Sequence, residues 1–155
     1  MTNSPIINSY TSASRYHDIS CGHVVWGHES KCQHLHGHNY RVHFQVSGER
    51  DALGRVLDFG VIKEKLCMWL ETEWDHRFLI WDQHPVANAL VALDPQGVLC
   101  LPFNPTAENM ARHLLEIIGP KQLAGLPVTL SRVVVEETAK CSAEAGLWVP
   151  QAGQR

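Results

Sequence analysis

The chain has 155 residues, 45% apolar and 19% charged, a balance that suits one soluble globular domain over residues 1–155. Thirteen Lys and Arg against 16 Asp and Glu leave a formal net charge of −3, with no basic block, which argues against nucleic-acid binding. No apolar run approaches the roughly 18 residues of a membrane span, the N-terminus lacks the layout of a secretory signal, and five cysteines then read as reduced thiols of a cytoplasmic protein.

The first 14 residues are polar and rich in Ser, Thr and Asn, a loose lead-in to a domain over 15–149. A strand is expected over residues 16–26, then a polar loop. Tyr40, Val42, Phe44 and Val46 alternate with Arg41, His43, Gln45 and Ser47, the period of a half-buried strand. Asp58 stands where an N-cap belongs, before a helix reaching Trp74. Ile62, Leu66, Trp69 or Leu70, and Trp74 fall on one face of it. Residues 78–81 are a short apolar run of edge-strand type, and 82–104 carry turn formers with no assignable element. A second helix opens at Pro105-Thr106, with Met110, Leu114 and Ile117 or Ile118 as its stripe, and ends at Gly119-Pro120. Strands are expected over 128–137 and 142–149. The fold class is α+β: an antiparallel four-stranded sheet with two helices packed on one face.

Ten histidines are too many to scatter by chance, because seven of them (17, 23, 28, 34, 36, 38 and 43) fall within 27 residues. His36 and His38 lie two apart at the start of a strand, so both rings face one side. His23, on the preceding strand, is the natural third ligand. Three imidazoles leave one position of a tetrahedral Zn²⁺ open, the catalytic arrangement. Cys32 sits in a polar loop beside Lys31. It is either a fourth ligand that closes the site or a general base beside an open one. Asp75-His76 pairs a carboxylate with an imidazole that it could orient for proton transfer. Glu137 ends an apolar strand, where its carboxylate could accept two hydrogen bonds from a planar N–H edge. Thr106 reads locally as a helix cap.

Together these segments resemble the 6-pyruvoyl-tetrahydropterin synthase family over residues 15–146. They are His23, Cys32, His36-Gly37-His38-Asn39-Tyr40, Val56-Leu57-Asp58-Phe59, Trp74-Asp75-His76, Asn104-Pro105-Thr106-Ala107-Glu108 and Val135-Glu136-Glu137-Thr138, in the family's order. The three residues between Cys32 and His36 resemble the family's 6-carboxytetrahydropterin branch. The resemblance implies the tunnelling fold (T-fold) and homohexamers, as dimers of trimers, with sites between subunits. It implies conversion of 7,8-dihydroneopterin triphosphate to 6-carboxy-5,6,7,8-tetrahydropterin, acetaldehyde and triphosphate, toward queuosine and other 7-deazaguanines. It gives His23, His36 and His38 to the zinc and makes Cys32 the general base. His76, oriented by Asp75, becomes the second proton carrier, and Glu137 with Thr106 grips the pterin. The alternatives are 6-pyruvoyltetrahydropterin synthesis by triphosphate elimination, and a non-catalytic zinc-binding protein. The chain departs from the family at Ile19-Ser20-Cys21-Gly22-His23, where Phe-x-Ala-Ala-His is usual. Cys21 there offers a second thiol two residues before His23. The chain also lacks the aromatic residue that often follows Glu137-Thr138, and its candidates for holding triphosphate are Lys31, Arg41 and Lys140.

Overall fold

A computed structural model of the chain describes residues 10–147. Strand β1 is Ser12–His23 and β2 is His36–Gly48, joined through a 3-10 turn at Lys31–Gln33. Helix α1 covers residues 59–73, capped by the Asp58 carboxylate, which accepts from the Gly60 N–H at 2.7 Å. Strand β3 (Phe78–Trp81), helix α2 (Ala87–Leu93) and strand β4 (Val98–Leu101) follow. Helix α3 spans residues 107–122, then come β5 (Val128–Thr138) and β6 (Cys141–Gly146). The lead-in over 1–9 and the end of the last expected strand, 148–149, lie outside the described residues. Residues 12–14 already belong to β1.

The sheet corrects the expected architecture. It has six strands in the order β4-β3-β1-β2-β5-β6 and is mixed, not four-stranded and antiparallel. β1, β2, β5 and β6 form the antiparallel part. β3 runs parallel to β1, and β4 parallel to β3. The connection through α2 is a crossover, which returns the chain in the same direction. β3 is therefore not an edge strand, because β4 covers it. With seven residues, α2 is only two turns long, too short to print a helical period among the turn formers of 82–104.

One face of the sheet carries the core. Ile19, Tyr40, Val42, Phe44, Val46, Leu130, Val133 and Val135 pack there with residues of α1 and α3. The buried positions of α1 and its C-cap are Ile62, Leu66, Cys67, Leu70 and Trp74, and those of α3 include Met110, Ala111, Leu114, Leu115 and Ile118, and each set contains a row of residues four apart. A residue turns by 100° in an α-helix, so each four-residue step overshoots a full turn by about 40°. Each helix contains one π turn, at Lys63–Cys67 and Leu114–Ile118. The local underwinding keeps the stripe aimed at the sheet. It also explains why α3 runs past Gly119-Pro120, against expectation. The wider turn directly before Pro120 relieves the clash its ring would make with the preceding carbonyls.

At the far end of β1, Gly22 pairs with Gly37. A Cβ on Gly22 would lie 2.4 Å from the Phe78 ring. The Ala usual in the resembled family would collide there, so Gly22 and the Phe78 ring on β3 are matched. Gly22→Ala is expected to destabilise the fold by roughly 1–3 kcal/mol through overpacking, measured by denaturant unfolding. Adding Phe78→Leu should recover part of the loss. Equal stability of Gly22→Ala and wild type would contradict the match.

Candidate metal centre and its cavity

The β1–β2 register builds the centre. His23 stands directly opposite His36, and Cys21 opposite His38, so His38 is the diagonal neighbour of His23. These residues continue the apolar face of Ile19, Tyr40 and Val42, where that face reaches the sheet's end. One ring nitrogen from each of His23, His36 and His38 lies within 4.8 Å of the other two. The three sequence-predicted ligands thus converge.

Second partners define the protonation. The His23 Nδ1 sits 2.8 Å from the Pro105 carbonyl, and the His36 Nδ1 sits 2.7 Å from the His34 carbonyl. A carbonyl oxygen only accepts, so each Nδ1 carries the proton and each Nε2 presents a lone pair. Those two Nε2 atoms face each other at 3.0 Å. Two lone pairs at that distance repel unless a cation or a proton stands between them. The His38 Nε2 is buried without a hydrogen-bond partner among the described residues. Burial also holds the His23 ring below the ordinary imidazole range, which keeps it neutral and able to ligate. The donor set fits Zn²⁺ or another first-row divalent ion that accepts imidazole.

A cavity of about 300 Å³ opens beside the histidines, lined by His23, Cys32, Thr106, Glu137 and Cys141 among others. The Glu137 Oε1 lies 3.4 Å from the His38 Nε2, and its Oε2 lies 4.0 Å from the His23 Nε2. The buried Tyr40 hydroxyl, 3.5 Å away, points at the same carboxylate. The Thr106 Oγ1 accepts from the Asn109 N–H at 3.2 Å, so this residue both caps α3 and lines the cavity. Cys21 is excluded as a working thiolate, because burial, then Asp75 and Glu137, push it up to about 12.

Asp75 and His76 lie elsewhere. His76 is left-handed (φ 57°), the turn that leads α1 into β3. Its Nδ1–H donates to the Asp75 Oδ2 at 2.6 Å, and the Asp75 Oδ1 accepts from the Ser20 N–H at 2.8 Å. Partial burial opposes the charge on Asp75. The Ser20 N–H and the His76 ring outweigh it and hold the carboxyl below its ordinary range. The pair is locked, yet the His76 side chain is 83% exposed. It lines a cavity of about 550 Å³ with Ser20, Asn39, Phe78 and the ligand candidate His38, and Cys32 is not among that cavity's residues.

Of the expected triphosphate groups, Arg41 is engaged, with two bonds to Asp18 at 2.7 and 2.9 Å and its guanidinium 4.2 Å from the Tyr16 ring centroid. Sequence reasoning missed the carbonyls of His34 and Pro105. Any residue type supplies a carbonyl, so composition carries no signal for them.

The buried neutral His23 makes the metal-free protein acid-sensitive. Its folded value lies below the unfolded 6.5. Its contribution is complete above about pH 6.5 and is lost as pH falls from there toward the folded value, because only the unfolded state then takes the proton. The melting temperature of metal-free protein should therefore drop between about pH 7 and pH 5.5, with a shallower drop in His23→Asn. Equal slopes in the two proteins would contradict this. Added Zn²⁺ should raise the wild-type melting temperature at pH 7.

The model of the 6-pyruvoyl tetrahydropterin synthase family matches residues 12–146. A Rickettsia felis protein named 6-carboxy-5,6,7,8-tetrahydropterin synthase is 34% identical over 129 residues, covering 82% of this chain and 94% of its own. A Halobacterium salinarum protein named as a probable enzyme of the same kind is 36% identical over 118 residues, covering 76% and 73%. Among solved structures, an uncharacterized protein from Wolinella succinogenes superposes with a TM-score of 0.78 at 22% identity, over 89% of this chain and 98% of its own. The 6-pyruvoyl tetrahydropterin synthase of Plasmodium falciparum gives 0.70 at 19%, over 92% and 100%. The likeness to both shows the shared fold. The chain belongs to the 6-pyruvoyl tetrahydropterin synthase family.

Proposed function

We propose that this chain is a zinc-dependent 6-carboxy-5,6,7,8-tetrahydropterin synthase, a carbon–carbon lyase. It would convert 7,8-dihydroneopterin triphosphate to 6-carboxytetrahydropterin, acetaldehyde and triphosphate in queuosine and 7-deazaguanine biosynthesis. The observation that carries the reading is the shared cavity, where His23, Cys32, Thr106 and Glu137 meet beside His36 and His38. The names of the relatives and the Cys32-to-His36 spacing support this branch.

His23, His36 and His38 hold the metal, which when bound supplies Lewis-acid polarisation of the substrate's side-chain hydroxyls. Glu137 accepts hydrogen bonds from the pterin's amino and ring N–H edge. Thr106 stands on the same wall. Cys32 takes a proton from the substrate side chain as general base. Asp75 holds the Nδ1–H of His76 and leaves its Nε2 free to carry a proton on the other side. Cys32 and His76 line different cavities of one chain, and in this reading the working site draws them from two copies. This favours a homo-oligomer, a hexamer built as a dimer of trimers, and β4 and β6 at the two ends of the sheet offer edges for its assembly. We place the enzyme in the cytoplasm, with no membrane or nucleic-acid partner. No described helix is long and apolar enough to cross a membrane.

Zinc-loaded protein given 7,8-dihydroneopterin triphosphate should yield 6-carboxytetrahydropterin and an equal amount of trapped acetaldehyde. A pyruvoyl product without acetaldehyde would reassign the reaction to triphosphate elimination. Metal binding without turnover would leave a non-catalytic zinc protein. Cys32→Ala and His76→Ala should each lower kcat by about 10²–10⁴-fold while keeping the metal. Mixing the two variants under subunit exchange should restore activity, because some sites then join an intact Cys32 to an intact His76. Absence of recovery in demonstrably mixed oligomers would exclude the shared site.

A further inference from the structure

We propose that Asn104 is a positioning residue for the metal centre. It locks the loop whose Pro105 carbonyl sets the ring of His23. The inference rests on reading the three histidines as metal ligands.

β1 ends at His23, and Trp26 follows three residues later. The Asn104 Oδ1 accepts from the Trp26 N–H at 2.9 Å, and its Nδ2 donates to the Trp26 carbonyl at 2.8 Å. The side-chain amide thus pairs with Trp26 as the peptide group of a neighbouring strand would, across 78 positions of sequence. The Asn104 carbonyl is fixed in turn. It accepts from the Thr106 N–H at 2.8 Å and from the Asn109 Nδ2 at 3.0 Å, in the first turn of α3. Between these anchors lies buried Pro105, with its carbonyl 2.8 Å from the His23 Nδ1.

Proline has no N–H, so Pro105 cannot tie itself to the strand. Its neighbour does so instead. The amide is suited to this because the clamp needs a donor and an acceptor on two neighbouring atoms; a carboxylate only accepts, and a hydroxyl carries both on one oxygen. Without the clamp, the His23–Pro105 bond alone, among the described residues, would join this loop by hydrogen bonding to the end of β1. A ring free to rotate or change tautomer no longer keeps its Nε2 lone pair on the metal. Asn104 does not line the cavity of Cys32 and Glu137, so replacing it leaves the cavity's own groups in place.

The test uses the full chain as wild type, Asn104→Ala and Asn104→Asp. Zn²⁺ affinity is measured by competition with a chromophoric chelator, Co²⁺ loading by its absorption spectrum, and melting temperature with and without Zn²⁺. Both variants should bind Zn²⁺ about 10-fold or more weakly and show an altered Co²⁺ spectrum. The rise in melting temperature caused by Zn²⁺ should shrink accordingly. Asn104→Asp keeps the acceptor for the Trp26 N–H and carries the test if Asn104→Ala does not fold. Affinity within about two-fold of wild type, with an unchanged Co²⁺ spectrum, overturns the proposal. So does an equal fall in the metal-free and Zn²⁺-loaded melting temperatures, the mark of a purely structural role. Failure of the wild type to bind Zn²⁺ or Co²⁺ instead overturns the metal centre, and this inference with it.

Discussion

Twelve residues of β1 pair with β2 without a bulge, from Ser12 opposite Ser47 to His23 opposite His36. Slipping that register by one residue would turn His36 and His38 to the far face of the sheet. It would turn Tyr40, Val42, Phe44 and Val46 with them, and these four are at most 1% exposed. Burying their apolar area is what resists the slip. The hydrophobic core and the histidine triad are therefore read out by one constraint, and the core supplies the free energy that holds polar ligands at the sheet's end.

Two neutral imidazoles with their lone pairs 3.0 Å apart are not a stable arrangement by themselves. Each is held there by its Nδ1–H on a backbone carbonyl, from Pro105 and from His34. The first carbonyl arrives from the start of α3, more than eighty residues away, and the second from the loop just before β2. The centre thus joins three parts of the chain, and the packing of α3 against the sheet bears directly on how the ligands point. Environment divides the thiols in the same way. Cys21 faces the core and stays protonated, whereas Cys32 lines the cavity.

The ligands were legible because the period-two rule fixes which side chains share a strand face. His36 and His38 needed only that rule, and His23 needed only the guess that consecutive strands pair. The apolar stripes of α1 and α3 were legible too, since Ile62, Leu66, Leu70 and Trp74 repeat at helical spacing. The four-residue rows within them, such as Ile62, Leu66, Leu70 and Trp74, go with the π turns, although an α-helical reading passes over them. The parallel strands β3 and β4 were not legible. Four-residue strands and a two-turn helix are shorter than the windows over which periodicity can be counted, and Asp94 and Gly97 look like any turn.

The sequence by itself determined the chemistry: which groups can ligate, accept or carry a proton, and which faces are apolar. These follow from residue type and spacing, which are local. Only the tertiary structure decided which of those groups meet. It placed Cys32, Thr106 and Glu137 in one cavity beside the histidines, and it put His76 in a different cavity, which His38 also lines. It also aimed the carbonyl of Pro105 at His23. Those outcomes depend on strand order and on where a loop docks. Both are set by burial summed over the whole core, which no short motif contains.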